Sequence, residues 1–310
     1  MENTRAKTTR NSLILLLTAT IWGMAFVSQS KGMDYMHPFT FNGVRSLIGA
    51  AGILIYILIS RKIAGDKAAK LDWKLNVKAG LLCGIFLTIA STLQQFGIKY
   101  TSVGKAGFIT TLYIIFVPMF GIFLKKKVAP VVWAAAGMAA VGMYLLCMTE
   151  SLRLGAGDIM VFLCAIAFAI QIMTVDHYAA RIDGAVVSCI QFTVCGVVCC
   201  IGALIWGQPT FGQIQEGLGA LLYAGVLSCG VGYTLQIVGQ KGLNPTVAAL
   251  IMSLESVIAT ISGWIAYKIG FLSTDQTLTP RQIAGCIIVF AAVILVQLPP
   301  EWFRFGKKNA

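Results

Sequence analysis

The chain has 310 residues, of which 57% are hydrophobic and 12% are charged, with a net charge of +12 and a mean hydropathy of +0.81. Soluble domains carry about 25% charged residues, so this composition excludes an ordinary soluble domain and indicates a polytopic membrane protein. The positive charge lies in short loops between apolar segments, so no nucleic-acid partner is expected.

Ten apolar segments are long enough to cross a bilayer as helices, since a spanning helix needs about 20 apolar residues. The predicted fold class is therefore an all-α polytopic membrane protein with ten transmembrane helices, leaving no stretch for a separate soluble domain. The predicted spans are 12–30, 38–60, 77–98, 103–123, 128–148, 156–177, 184–206, 217–239, 246–268 and 280–298.

The basic residues predict how these spans are oriented. With the N-terminus in the cytoplasm, 17 of the 24 Lys and Arg residues fall at cytoplasmic ends and 6 at outer ends, with Arg45 inside a span. Because cytoplasmic loops carry the excess of Lys and Arg, both termini are predicted to be cytoplasmic, in a bacterial-type inner (plasma) membrane. The first span follows a basic tail but lacks a small-residue cleavage site, so it is predicted to be a retained helix.

Two stretches of sequence occur twice, 142 positions apart. Ala25-Phe26-x-x-Gln29 recurs as Ala167-Phe168-x-x-Gln171, and Thr92-Leu93-Gln94-x-x-Gly97-x-Lys99 recurs as Thr234-Leu235-Gln236-x-x-Gly239-x-Lys241. The repeats are assigned to residues 1–150 and 151–310. Each holds five spans, an odd number, so the second copy is predicted to lie inverted in the bilayer. Inverted repeats are the architecture of secondary transporters, whose halves rock around a site at their interface.

Short motifs also follow one another in a distinctive order. They are Ile21-Trp22-Gly23, Arg45, Tyr100-Thr101-Ser102-x-x-Lys105-Ala106-Gly107-Phe108, Pro118 and Leu254-Glu255. In these motifs the chain resembles the EamA branch of the drug/metabolite transporter superfamily. The resemblance implies a ten-helix transporter of small organic metabolites, often amino acids or related compounds and often working outward. The chain departs from the family pattern in two places. The Gly-Glu that commonly ends the fourth helix of each repeat is replaced by Lys125-Lys126-Lys127 and by Tyr267-Lys268. The proline that often follows the glutamate of the ninth helix is replaced by Ser256.

Glu255 is predicted to lie near the bilayer midplane, because the ninth span begins near Thr246 and rises 1.5 Å per residue. A carboxyl group there costs about 2.5–3.5 kcal/mol to insert, so it is expected to face the bundle interior or a wet cavity. Apolar surroundings favour protonation of a carboxyl group, which suits a proton carrier. The alternative is a structural ion pair with a basic residue.

Arg45 lies about 10 Å into the second span, and Asn42, three residues earlier, shares its helix face. One interpretation is that Arg45 binds a substrate carboxylate through two hydrogen bonds. The alternatives are a bridge between helices or a side chain that extends to the outer interface.

The glutamines form two repeat-related pairs. Gln94 and Gln236 are one pair, with Gln95 beside the first, and Gln29 and Gln171 are the other. Buried amides must find hydrogen-bond partners. They are expected either to line the interface between the repeats or to bond helices together.

Aromatic residues such as Trp and Tyr offer a small amphipathic substrate a ring face with a polar tip. The candidates are Trp22, Tyr113 and Tyr233. The alternative is that each packs in the core or against lipid. Lys105 is expected to be a cavity-mouth cation or an interfacial anchor, and Pro118 a flexing point or a static kink. The predicted substrate-binding or coupling residues are Glu255, Arg45, Gln94, Gln236, Gln95, Tyr113, Trp22, Asn42 and Tyr233.

No catalytic, metal or cofactor site is predicted. The nine cysteines show neither a CxxC pair nor a histidine at ligand spacing, and the phosphate loop of ATPases is absent. The predicted function is a secondary transporter that exports small organic metabolites, with the bilayer, a small-molecule substrate and a coupled proton or other ion as partners. The runner-up is a sugar-phosphate or nucleotide-sugar antiporter. A channel would need a continuous polar stripe, whereas the polar residues here are isolated. An intramembrane enzyme would need converging acid–base groups, and the sequence shows none. Homodimerisation stays open.

Overall fold

Helices make up all the regular secondary structure in the residues that the structure describes. It is a computed structural model and describes residues 2–65, 71–125, 128, 130–147 and 155–297. The α-helices are α1 (Glu2–Gly32), α2 (Pro38–Ala64), α3 (Trp73–Ile98), α4 (Val103–Thr111), α5 (Tyr113–Phe123), α6 (Pro130–Cys147), α7 (Ala156–Tyr178), α8 (Gly184–Gly202), α9 (Phe211–Glu216), α10 (Leu218–Leu222), α11 (Tyr233–Gln240), α12 (Pro245–Met252), α13 (Glu255–Lys268) and α14 (Pro280–Gln297). Two π-helical segments, Ala203–Gly207 and Tyr223–Gly232, continue α8 and join α10 to α11.

Eight helical segments of the described chain are long and apolar enough to cross a membrane. They are Lys7–Gly32, Pro38–Ala64, Trp73–Ile98, Val103–Phe123, Ala156–Tyr178, Gly184–Gly207, Leu218–Gln240 and Pro245–Lys268. Two shorter apolar helices, Pro130–Gly142 and Pro280–Leu295, lie where the fifth and tenth spans were predicted. The all-α polytopic fold is confirmed, and the count of ten spanning helices stays a prediction.

Some predicted features fall outside the described residues. The boundary between the two repeats, at residues 150 and 151, is one of them. So are several of the basic residues used to predict orientation, namely Lys67, Lys70, Lys126, Lys127, Arg153, Arg304, Lys307 and Lys308. The structure therefore describes the helices of the two repeats but not the segment that joins them.

The outer surface of the protein is apolar and its interior holds polar groups. Large apolar side chains are exposed along the spans; Ile63, for example, is 82% exposed and Leu58 is 61% exposed. Arg45, Glu255 and several glutamines are buried. Lipid offers no hydrogen bonds, so buried polar groups must find partners inside the bundle. The interior therefore contains the groups from which a site can be built.

Capping residues decide where two of the helices begin. Helix α3 begins at Trp73, four residues before the predicted span, because the carboxylate of Asp72 accepts a hydrogen bond from the N–H of Leu75 at 2.9 Å. Asp183 caps α8 in the same way, through two backbone N–H groups at 2.9 and 3.1 Å. A cap satisfies backbone donors and favours negative charge at a helix start. The prediction counted apolar residues alone and so missed the polar first turn of α3.

The fourth and ninth predicted spans are interrupted at equivalent positions. One interruption immediately precedes Tyr113, where α5 begins, and the other precedes Glu255, where α13 begins. At each, the backbone tightens: the N–H groups of Leu112 and Leu254 donate to the carbonyl three residues earlier, at 3.2 and 3.3 Å. The two leucines are 142 positions apart, so the interruption is a feature of both repeats.

Proline is not the cause of these interruptions. Pro118, singled out as the bend of the fourth span, lies inside α5, six residues beyond the tight turn. The equivalent position in α13 is Thr260, yet α12 and α13 are separated in the same way. Tight turns in the middle of a helix often mark hinges. The interrupted positions are therefore better candidates for flexing points than Pro118.

The eighth predicted span contains ten π-helical residues, which the sequence analysis did not anticipate. They join α10 to α11, and the N–H of Tyr233 donates to the carbonyl of Ser228, five residues earlier. Gly225 allows this segment to pack closely on α2, because a Cβ atom there would lie 2.9 Å from the carbonyl oxygen of Arg45. The periodicity of apolar residues in a sequence predicts a helix. It does not predict a π-helical turn, because such a turn depends on packing against other helices.

Equivalent helices of the two halves pack in equivalent ways. A Cβ atom on Gly97 of α3 would lie 2.8 Å from the carbonyl oxygen of Gly157 on α7. A Cβ atom on Gly239 of α11 would lie 2.7 Å from the side chain of Leu15 on α1. Gly97 corresponds to Gly239, and Leu15 to Gly157, by the same 142-residue offset. Small residues at both contacts permit close helix approach.

Candidate functional site

A small cavity lies between helices of both halves of the chain. Its lining comes from α1, α2, α3, α4 and α5 of the first half and from α7, the second π-helical segment, α11 and α13 of the second. Its volume is about 30 Å³, which holds roughly one or two water molecules. Seven of the nine predicted site residues line it: Trp22, Arg45, Gln94, Tyr113, Tyr233, Gln236 and Glu255.

Glu255 and Tyr113 form a hydrogen bond in the wall of this cavity. The hydroxyl of Tyr113 donates to Oε1 of Glu255 at 3.0 Å, and both side chains are buried. The two residues are 142 positions apart and so occupy equivalent places in the repeats. Equivalent residues can contact each other only near the axis that relates the copies. The carboxyl group therefore lies at the interface of the halves, and no basic side chain of the described residues lies within 4 Å of it.

Arg45 is held at one edge and turned towards the cavity. Its Nε donates to Oδ1 of Asn42 at 2.8 Å, and the guanidinium lies 5.5 Å from the ring centroid of Phe41. Asn42 in turn donates to Oγ of Ser91 on α3 at 3.3 Å. Among the described residues, Arg45 has no carboxylate within 4 Å. A buried cation without an acidic partner can bind an anionic group of a ligand.

The glutamines of both repeat-related pairs reach the cavity. Gln236 donates through Nε2 to Oε1 of Gln171 at 3.2 Å, whereas Gln94 donates to Oγ1 of Thr110 at 3.1 Å. Oε1 of Gln29, Nε2 of Gln171 and Oε1 of Gln236 have no hydrogen-bond partner within the described part of the chain. Leaving a buried polar atom unpaired costs about 1–3 kcal/mol. These amide atoms are therefore available to a polar ligand.

Aromatic rings close one side of the cavity. The rings of Trp22 and Tyr233 are 4.5 Å apart between centroids, and Phe192 meets Tyr233 edge-on at 5.0 Å. Nε1 of Trp22 donates to the carbonyl of Ser228 at 3.4 Å, which ties α1 to the π-helical segment. The ring faces supply apolar contact area beside the polar amides.

Two predicted residues lie behind the cavity instead of lining it. Asn42 is buried and supports Arg45, as described above. Gln95 is also buried and donates through Nε2 to the backbone carbonyl of Gln29 at 3.2 Å. Each of them contacts a residue that does line the cavity.

Two polar residues of the lining, Thr110 and Ser228, were not predicted from the sequence. Thr110 lies two residues before the interruption at Leu112, which the sequence did not predict. Ser228 enters the lining through the π-helical segment, which no pattern in the sequence predicted. Helical periodicity in the sequence cannot predict residues that face the cavity only because the backbone is irregular.

Lys105 does not belong to this cavity. Its Nζ forms a 2.6 Å ion pair with Asp158, and the same carboxylate accepts from Oγ1 of Thr101 at 2.9 Å. This cluster ties the start of α4 to the start of α7. No group of three or more His, Cys, Asp or Glu side chains in the described residues is arranged to hold a metal ion.

Comparison with known proteins links this architecture to transporters. The model of the EamA-like transporter family matches residues 10–148 and 155–298. A protein of Archaeoglobus fulgidus named "Uncharacterized transporter" is 28% identical over 290 residues, covering 92% of this chain and 84% of the relative. The "Uncharacterized transporter YwfM" of Bacillus subtilis is 24% identical over 295 residues, covering 94% of both chains. A protein crystal structure aligns with a TM-score of 0.73 at 16% identity, over 96% of this chain and 99% of that one, and shares the fold.

Proposed function

Because the chain belongs to the EamA-like transporter family and is a multi-pass membrane transporter, we propose that it exports small organic metabolites, such as amino acids or related compounds, by alternating access. The observation that supports this most directly is the hydrogen bond between Tyr113 and Glu255. It joins equivalent positions of two repeats, beside a cavity lined by both. A site on the axis between two halves can be exposed to either side of the membrane in turn.

The size of the cavity supports a mechanism with moving halves. A volume of about 30 Å³ is far below the roughly 300 Å³ of small-molecule pockets, so a metabolite enters only when the helices separate. The paired interruptions before Tyr113 and Glu255 provide flexing points in both halves. We propose that the repeats, residues 1–150 and 151–310, are inverted and rock about this axis. The two separate matches of the family model support that division.

The polar groups of the cavity favour a zwitterionic substrate. Arg45 has no acidic partner among the described residues and would bind a substrate carboxylate. Glu255 accepts one hydrogen bond from Tyr113 and retains a second oxygen for an ammonium group. Unpaired amide atoms of Gln29, Gln171 and Gln236 would orient the remaining polar atoms.

Glu255 is also the proposed coupling group. It is the single acidic residue in the lining of the cavity, and it is 4% exposed. A carboxyl group at the midplane can bind a proton from one side and release it to the other as the halves rock. Proton-coupled antiport would then drive export without ATP.

A sugar-phosphate or nucleotide-sugar substrate is the competing proposal. A phosphate ligand requires several basic groups, and Arg45 is the one basic residue in the cavity lining. We also propose that the chain lies in a bacterial-type inner membrane with both termini cytoplasmic, because the basic residues concentrate at one end of the spans. Homodimerisation is a separate proposal and is not required for this mechanism.

Counterflow into proteoliposomes tests the proposal. Vesicles loaded with one unlabelled compound at a time, from a panel of amino acids, other metabolites and sugar phosphates, are assayed for transient uptake of the same labelled compound. Saturable counterflow of an amino acid or related compound, reduced at least tenfold by Arg45→Ala, is the expected result. Glu216→Gln, at an exposed acidic residue of α9, serves as the control and should leave uptake unchanged. Non-saturable flux would indicate a channel, and conversion of the label would indicate an enzyme.

A further inference from the structure

We propose that the chain binds an anionic phospholipid, whose phosphate contacts Arg181 and Lys241 and whose acyl chain lies in a groove between α2 and the span formed by α10, the π-helical segment and α11. This surface shares no lining residue with the central cavity, and binding of a lipid there does not depend on the transport mechanism. It rests on two adjoining cavities, one polar and one apolar, which share part of their lining.

The polar cavity lies where α2 ends and α3 and α8 begin. Its volume is about 620 Å³, and Arg61, Arg181 and Lys241 are in its lining. Asp72 and Asp183 line it too, but their carboxylates accept hydrogen bonds from the backbone N–H groups that begin α3 and α8. Arg181 and Lys241 are therefore the groups considered for binding an anion.

Neither Arg181 nor Lys241 has a carboxylate partner within 4 Å in the described residues. Nζ of Lys241 donates to the carbonyl of Ile182 at 3.2 Å, and Nη2 of Arg181 donates to the carbonyl of His177 at 3.4 Å. Each side chain thus keeps further N–H donors and its full positive charge. Basic pockets between spanning helices recognise lipid head groups through such donors.

The apolar groove continues from this cavity along the lipid-facing surface. The two share Tyr56, Thr234 and Val238, and the groove has a volume of about 420 Å³. Its floor includes Gly49 and Gly230, and Tyr56 beside it is 61% exposed. A surface groove that is basic at one end and apolar along its length fits a phospholipid better than it fits a fully soluble anion.

Two other lipid-facing grooves in the described part of the chain lack this combination. One lies beside α1 and α13 and the other beside α1 and α14, and neither has a charged residue in its lining. Three of the positions related to the polar cavity by the 142-residue offset hold aromatic rings that pack on one another. Phe39 corresponds to Arg181 and Phe96 to Val238; these two rings meet at 5.1 Å, and Trp206, which corresponds to Ala64, stacks on Phe39 at 5.5 Å.

Native mass spectrometry of the full chain in detergent measures the binding of added dioleoyl phosphatidylglycerol or phosphatidylcholine. We expect the wild-type chain to bind phosphatidylglycerol at least tenfold more tightly. The double variant Arg181→Ala/Lys241→Ala should lose this preference. The control Lys74→Ala/Lys78→Ala removes the same charge from exposed positions of α3 and should keep it.

A second variant tests the groove without altering charge. A Cβ atom on Gly52, which lines the groove, meets no atom within 4 Å, so Gly52→Phe fills the groove without disturbing the helices. It should weaken binding of both lipids at least fivefold. Gly219→Phe makes the same change in a groove without charged residues, also with no atom within 4 Å, and should weaken neither.

Inorganic phosphate distinguishes a lipid from a soluble anion. At millimolar concentration it should not displace phosphatidylglycerol, because the acyl chain contributes to binding; displacement would mean that a soluble anion is the ligand and would overturn the proposal. Equal binding of the two lipids by the wild-type chain would also overturn it. So would unchanged binding in Gly52→Phe, a result that stands even if the double variant does not fold.

Discussion

Tyr113→Phe removes one hydroxyl group from the centre of the molecule. That hydroxyl donates to Glu255 at 3.0 Å, and the two side chains are 2% and 4% exposed. A hydrogen bond to a charged group contributes about 1.5–3 kcal/mol, and a neutral one about 0.5–1.5 kcal/mol. If Glu255 is ionised, the free energy of unfolding in mixed micelles should fall by about 1.5–3 kcal/mol. In a Glu255→Gln background the same change should cost about 1 kcal/mol less, since the amide oxygen forms a neutral bond.

The double-mutant cycle gives the coupling between the two side chains. Tyr223→Phe is the matched control, because its hydroxyl donates to the backbone carbonyl of Ile21 at 3.1 Å and does not contact Glu255. Its cost should be the same with and without Glu255→Gln. Because the glutamine keeps a neutral hydrogen bond to the Tyr113 hydroxyl, equal costs of Tyr113→Phe in the two backgrounds, to within about 0.3 kcal/mol, would mean that the bond is not made to an ionised carboxylate. A cost below about 0.5 kcal/mol in both backgrounds would refute the argument that this bond organises the interface of the halves.

Three further substitutions test other parts of the account. Gly97→Leu forces α3 away from Gly157 and should lower the free energy of unfolding by about 1–3 kcal/mol, whereas Gly137→Leu, whose Cβ meets no atom within 4 Å, should change it by less than about 0.5 kcal/mol. Arg45→Lys keeps the charge but loses the Nε donor and the planar fork, so the half-saturation concentration in counterflow should rise about tenfold or more; an unchanged value would remove Arg45 from the binding site. Burial lowers the pKa of His37, in the turn before α2, below its ordinary value of 6.5, with a smaller contribution from a nearby lysine. Its neutral form therefore stabilises the fold above that pH, and stability should fall as the pH drops below about 6.5 in wild type but less in His37→Gln, as measured by thermal unfolding.

The sequence predicted the spans and most of the cavity because both depend on simple patterns. Apolar runs of about 20 residues locate the helices, and the repeated glutamines mark positions that the two copies share. Glu255 and Arg45 stood out because ionisable groups in a span are costly and need an interior position. Both line the cavity. Their roles in transport remain predictions.

Irregular backbone could not be predicted in the same way. The tight turns at Leu112 and Leu254 involve ordinary apolar residues, and Pro118 lies six residues beyond the first of them. The π-helical segment depends on glycines packed against α1 and α2, a contact between residues far apart in sequence. Ser228 joins the site only through that segment. The position of Asn42 behind Arg45, instead of in the cavity, likewise follows from the partner that α3 supplies.

The coupling role of Glu255 is the central claim, and proton-driven transport measures it directly. Proteoliposomes containing wild type or Glu255→Gln are given the substrate found by counterflow and an imposed pH gradient. The account predicts that wild type accumulates substrate against its gradient, whereas Glu255→Gln still exchanges substrate but no longer accumulates it. Accumulation by Glu255→Gln equal to that of wild type would contradict the claim and leave Glu255 with a structural role.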